Sequence, residues 1–149
     1  MLLSKIIKND IKLIKRIEND VPISGIDSDS RKIKKGMIFA AIQGDKTNGI
    51  NYTDKAINAG AKVILCNIKD SKKIFNKNIN IITAKNIKIS ACIICKKFFP
   101  SQPKNIAAIT GTNGKTSIAY YLNKIWNQAK IKSASIGTLG IKYYNKNTK

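Results

Sequence analysis

Asn105-Ile106-Ala107-Ala108-Ile109-Thr110-Gly111-Thr112-Asn113-Gly114-Lys115-Thr116-Ser117 joins an apolar run to a turn with two glycines and then to a helix-forming stretch. The apolar run predicts a strand over 105–110, and Ser117 to Ala129 predicts a helix with Ile118, Tyr121, Leu122, Ile125 and Trp126 on its apolar side. Between them, glycines let the backbone turn tightly and approach a ligand. Successive backbone N–H groups and the positive end of the helix dipole can then cradle a phosphate. Lys115 supplies a point charge for β and γ phosphates, and the Thr116 hydroxyl is a candidate Mg²⁺ ligand. The spacing departs from G-x-x-x-x-G-K-[ST], which asks for glycine where this chain has Ile109. A strand, a phosphate loop, a helix and a further strand at Lys132–Ile136 predict the opening of a parallel βαβ unit.

Upstream, strands and helices alternate, the signature of an α/β layer structure. Short apolar runs predict strands at Gly36–Ile42, Lys62–Cys66 and Ile79–Thr83. Helices are predicted over Tyr52–Ala59, closed by Gly60, and over Lys85–Phe99. Apolar residues at Leu3, Ile6, Ile7, Ile11 and Ile14 predict an amphipathic helix in the first turns of the segment from Leu2 to Ile17. Ser24–Arg31 and Gly44–Gly49 read as polar loops. Pro100-Ser101-Gln102-Pro103 cannot continue a helix and biases its neighbours toward extended geometry, so it marks a domain boundary. The expected organisation is a small α/β domain over residues 1–100 and a second, phosphate-loop α/β domain that begins at 104 and is cut off at 149.

The chain has 149 residues, 43% of them hydrophobic and 24% charged, enough apolar material for a core. Its net charge is +20, from 28 Lys and Arg against 8 Asp and Glu. That balance raises nucleic acid as a partner, but the lysines are scattered without a binding tail or a recognition motif. A basic nucleic-acid-binding module therefore stays the alternative from another class, and no specific nucleic acid is expected. No run approaches the ~18 apolar residues of a membrane span, and the N-terminus lacks a secretory signal pattern. No membrane association and a cytoplasmic location are expected. Cys66, Cys92 and Cys95 are odd in number and sit in apolar surroundings, which predicts reduced, buried thiols rather than a redox or metal pair.

Thr110-Gly111-Thr112-Asn113-Gly114-Lys115-Thr116 resembles the phosphate loop of the Mur ligases and their folate-polyglutamate relatives. Three more segments resemble the Mur ligase family: Asp29-Ser30-Arg31 followed by Lys35–Ala40, Gly44–Gly49 leading into Ala56–Ala61, and Ser135–Gly140. Together they are most similar to its tripeptide-synthetase branch, with the adjacent pathway step and cyanophycin-type ligases as alternatives. The resemblance implies ATP and Mg²⁺ as cofactors, with Gly111, Thr112, Asn113, Gly114, Lys115, Thr116 and Ser117 at the ATP. Lys115 would be catalytic and Thr116 a metal ligand. It implies that Ser28, Ser30, Asp45, Lys46 and Thr47 contact the UDP-sugar end of UDP-N-acetylmuramoyl-dipeptide. The implied reaction forms an acyl phosphate on the D-glutamyl carboxylate, which a diamino acid, meso-diaminopimelate or lysine, then attacks. No obligate protein partner is implied, and the segment over 1–149 is expected to be inactive alone.

Overall fold

The computed structural model describes residues 1–7, 11–15, 20–44, 47–76 and 78–143. It divides into two compact units, Met1–Gln102 and Pro103–Lys149, and the division falls inside the proline-flanked segment.

The first unit is built on a five-stranded sheet. In chain order the elements are α1 (Leu3–Ile6), β1 (Lys12–Lys15), β2 (Gly25–Asp27), β3 (Met37–Ala40), a 3₁₀ turn (Gly49–Tyr52), α2 (Thr53–Asn58), β4 (Val63–Cys66), α3 (Ile68–Ser71), β5 (Asn80–Thr83) and α4 (Ile87–Phe98). Strand order is β1-β5-β4-β3-β2. β2, β3, β4 and β5 run parallel, and β1 closes the edge antiparallel to β5.

Continuous apolar runs form these strands because both faces of the sheet are covered. Alternation splits each run between two clusters. Ile38, Ala40, Val63, Leu65 and Ile82 face α1 and α4, packing with Leu3, Ile6, Ile87, Ala91 and Ile94. Phe39, Ala41, Ile64, Cys66 and Ile81 turn the other way, toward Ile50, Ala56 and Ala61. The buried positions of α4, Ile87, Ser90, Ala91 and Ile94, recur at three- and four-residue spacing, so one stripe of the helix meets the sheet. Each fully buried aliphatic side chain is worth about 1.5–3 kcal/mol.

Gly60 ends α2 as the sequence predicts, and the reason is conformational. Its φ is +101°, its N–H donates to Ile57 O at 2.9 Å, and the next residue's N–H, from Ala61, donates to Ala56 O at 2.9 Å. These are the paired bonds of a Schellman motif, which needs a left-handed residue at that position.

Three expectations are corrected. The helical spacing of the N-terminal segment holds only over Leu3–Ile6; Lys12–Lys15 is a strand, because the free edge of β5 offers a hydrogen-bond ladder that outweighs local periodicity. Gly25–Asp27, read as loop, is a strand on the edge of β3. Asn105–Thr110 forms no strand, and the expected βαβ opening is absent among the described residues. A lone apolar run becomes a strand only by pairing, and the next strand, β6 (Ala134–Gly137), pairs antiparallel with β7 (Gly140–Tyr143) in a hairpin instead. Between Lys115 and Gln128 lies α5, which packs against β6.

Candidate functional site

The expected site residues fall at two places, one in each unit. In the first unit β2 and β3 are parallel neighbours, so the loops after Asp27 and after Ala40 leave the same, carboxyl edge of the sheet. That edge is where open α/β sheets bind ligands. Ser28 is exposed and Ser30 half-buried. The turn that carries them is held by Asp27, whose Oδ1 accepts from Asp29 N at 2.8 Å, and by Asp29, whose Oδ1 accepts from Arg31 N at 3.0 Å. Both hydroxyl residues are thus displayed on a braced loop. In the second loop Thr47 is exposed, and its carbonyl accepts from Gly44 N at 2.9 Å. Asp45 and Lys46 lie outside the described residues. Gly49 closes the loop by near contact, since its N–H donates to Ile42 O at 3.1 Å.

The sequence marks Arg31 only as part of the Asp29-Ser30-Arg31 segment and Tyr52 only as the start of a helix, and the structure brings both to this edge. Arg31 pairs with Asp29, the main cause of its raised pKa, and the Tyr52 phenol adds a smaller share. Lys55 lies over the Tyr52 ring, 5.9 Å from its centre. Farther along the carboxyl edge, beyond β3, β4 and β5, a cleft of about 170 Å³ is lined by Ile42, Gln43, Asn67, Lys85, Asn86 and Lys88, among others. They come from three separate places, the segments after β3 and β4 and the start of α4, so no spacing in the sequence marks them as a group.

In the second unit the loop before α5 turns on its glycines. Gly111 has φ +139° and Gly114 φ +77°, values that side chains rarely adopt. Open space surrounds the position a Cβ would take at Gly114, so conformation rather than crowding requires glycine there. No side chain caps α5 at Gly114, which leaves the loop side of the helix N-terminus free for an anion. The Lys115 ammonium folds back onto this loop, donating to Gly111 O and, at 3.0 Å, to Thr112 O. Residues Gly111 to Ser117 are all exposed. Asn123, on α5, is the buried polar residue of this unit; its Oδ1 accepts from Asn127 Nδ2 at 2.8 Å while its own Nδ2 has no partner.

Cys66 is fully buried, Cys95 is half-buried, and Cys92, expected to be buried, is exposed because it falls on the outer stripe of α4. Among the described residues there is no cluster of His, Cys, Asp or Glu able to hold a metal ion. Nor is any helix long and apolar enough to cross a membrane.

The first unit is an α/β layer with a parallel sheet and polar loops at its carboxyl edge, and the second unit carries a glycine-framed loop that opens a helix, so the class is that of α/β proteins with a candidate phosphate loop. Comparison with known families narrows this class. The Mur ligase family, catalytic domain, matches residues 22–92, and the Mur ligase middle domain matches residues 109–149. The chain belongs to the Mur ligase family. It is 40% identical over 124 residues, 83% of its length, to a protein of Zymomonas mobilis named UDP-N-acetylmuramoyl-L-alanyl-D-glutamate--2,6-diaminopimelate ligase. A protein of the same name from Mesorhizobium japonicum is 34% identical over 122 residues, 82% of this chain. In both cases the chain spans 25% of the relative's length. Among solved structures, the MurF ligase of Thermotoga maritima in complex with ADP shares the fold over 70% of this chain and 23% of its own, at TM-score 0.52 and 19% identity.

Proposed function

We propose that this chain carries the nucleotide-recognising parts of an ATP-dependent amide ligase of peptidoglycan precursor synthesis. The whole enzyme would join 2,6-diaminopimelate to UDP-N-acetylmuramoyl-L-alanyl-D-glutamate through an acyl phosphate. Support comes from the names of the relatives and from one geometric observation: Lys115 and the positive-φ glycines Gly111 and Gly114 sit together at the uncapped start of a 14-residue helix.

In this reading each unit binds one nucleotide. The first takes the UDP-sugar end on the carboxyl edge of its sheet, with the Ser28 and Ser30 hydroxyls donating to diphosphate oxygens and Thr47 lining the second loop. Asp45 and Lys46 belong to the same proposed subsite by their place in the sequence. The second unit takes ATP, whose terminal phosphates would replace the Gly111 and Thr112 carbonyls as partners of the Lys115 ammonium. Lys115 then stabilises charge as the γ-phosphoryl group moves to the glutamyl carboxylate, a reaction whose catalysis is mostly positioning and electrostatics.

Two calorimetric titrations of the full chain test the two halves of this reading. UDP-N-acetylmuramoyl-dipeptide should bind the wild type, and Ser30→Ala should weaken it by about 1.5–3 kcal/mol, the worth of a hydrogen bond to a charged group. ATP should bind the wild type and lose its affinity in Lys115→Ala. A wild type that binds neither nucleotide sinks the proposal.

A further inference from the structure

The amino edge of the first unit's sheet, opposite Ser28 and Ser30, carries a depression of about 430 Å³, against about 170 Å³ for the carboxyl-edge cleft. Small-molecule sites ordinarily measure roughly 300–1,000 Å³. β3, β4 and β5 are parallel neighbours, so the residues that enter them lie side by side: Lys35 before β3, Lys62 before β4 and Asn78 before β5. Asn58, the last residue of α2, completes the polar rim, and Ile57, Ala61 and Ile79 supply apolar lining. The backbone holds this rim together. A Cβ at Gly60 would lie 2.8 Å from Lys35 Cα, and Gly36 N donates to Gly60 O at 2.9 Å, so the chain before β3 is pressed against the end of α2.

The sign of a ligand follows from what these atoms have left to offer. Ala56 O, Ile57 O, Gly60 O and Lys62 O already accept from Ala61 N, Gly60 N, Gly36 N and Asn80 Nδ2. Among the described residues no Asp or Glu lines the depression, and neither Lys35 nor Lys62 belongs to an ion pair. The lysine ammoniums and the two carboxamides therefore line it with N–H donors to spare, which suits an anion and not a cation.

We propose that this depression binds a small organic anion, its carboxylate or phosphate group held by Lys35 and Lys62 and its short hydrocarbon body laid on Ile57, Ala61 and Ile79. Asn58 and Asn78 add amide donors that serve oxygens of either head group. An inorganic anion would use the charges alone and leave the apolar lining in water, whereas each CH₂ moved onto that lining adds to the binding. Both lysines are exposed, so each charge contributes modestly, and the affinity expected is on the order of millimolar. A ligand here leaves the carboxyl-edge loops open.

The experiment is an amide NMR titration of the full 149-residue chain with glutarate, n-propyl phosphate and inorganic phosphate at matched ionic strength. At least one of the two organic anions should move the amide signals of Gly60, Ala61, Lys62 and Ile79 saturably and bind about threefold or more tighter than inorganic phosphate. The tighter of the two identifies the head group. Lys35→Gln and Lys62→Gln should each weaken that binding about threefold, and the double variant about tenfold. Lys69→Gln removes the same charge from α3 and should leave it unchanged, separating the site from the general basic field. The proposal is overturned if no signal shifts saturably, or if the shifts fall on the Ser28–Ser30 and Gly44–Gly49 loops instead. It is equally overturned if inorganic phosphate binds as tightly as both organic anions, or if Lys69→Gln costs as much as Lys35→Gln and Lys62→Gln.

Discussion

Arg31 holds Asp29 at two points, its Nε donating to Oδ1 at 2.9 Å and its Nη2 to Oδ2 at 2.9 Å. The fork geometry is what guanidinium and carboxylate groups favour, and it fixes the turn that displays Ser28 and Ser30. This pairing, chiefly the side-chain hydrogen bonds and then the Arg31 backbone N–H, lowers the Asp29 carboxyl from 3.8 to about 2. A carboxyl depressed in the folded state favours folding above its ordinary value, and the contribution disappears as pH falls from 3.8 toward 2. An NMR titration should therefore find the Asp29 midpoint near 2 in the wild type and shifted upward in Arg31→Gln. An ordinary midpoint in the wild type would show that the pair does not persist in solution.

Gly49 is a glycine for want of room. A Cβ there would lie 2.6 Å from Ile42 O and 2.7 Å from both Ala41 C and Ile42 N, all backbone atoms that cannot rotate away. Gly49→Ala should cost about 1–3 kcal/mol by overpacking. The measurement is the urea midpoint at constant m-value. A midpoint equal to the wild type's would mean that the second loop stands off the sheet.

What the sequence disclosed follows from how local each cause is. Val63–Cys66 reads as a strand because both faces are buried and no polar residue interrupts it. Gly60 reads as a helix stop because only its own φ matters. Lys12–Lys15 misleads because Ile7, Ile11 and Ile14 keep helical spacing while the deciding partner, β5, is some seventy residues away. Asn105–Thr110 misleads in the opposite sense: the apolar run is present and the neighbour is not, since β6 has paired with β7. At the candidate site the loop glycines and Lys115 are legible as a contiguous motif. The cleft lined by Gln43, Asn67 and Lys85 is assembled by topology from isolated residues and leaves no sequence pattern.

Asn86 caps α4, its Oδ1 accepting from Ile89 N at 3.1 Å. The helix also contributes Ile87 to the core and Asn86 to the cleft at the carboxyl edge. Asn86→Ala should destabilise the chain by about 1 kcal/mol, whereas Asn86→Ser, which retains a capping oxygen, should recover most of it. Thermal melts of both variants make the comparison. Equal losses in the two would assign the effect to the cleft rather than to the cap.

The three cysteines report on the first unit's packing, because each sits at a different depth. Cys66, on the central strand β4, is 0% exposed; burial, with a smaller push from the Asp70 carboxylate, raises its thiol to about 12. Cys95 is half-buried and its thiol is also raised, first by burial and then by the nearby Cys92 and Asp27. Cys92 points outward from α4. Thiolate is the reactive form, so at pH 8 an alkylating reagent should modify Cys92 first, Cys95 more slowly, and Cys66 only as fast as the unit unfolds. A thiol raised in the folded state keeps its proton longer there than in the unfolded chain. Cys66 therefore withdraws stability as pH climbs above its ordinary 9.0, and the loss saturates near 12. Peptide mapping by mass spectrometry after timed alkylation reads the order directly. Labelling of Cys66 in the native protein at the rate of Cys92 would place β4 at the surface and refute the sheet order on which the candidate site is built.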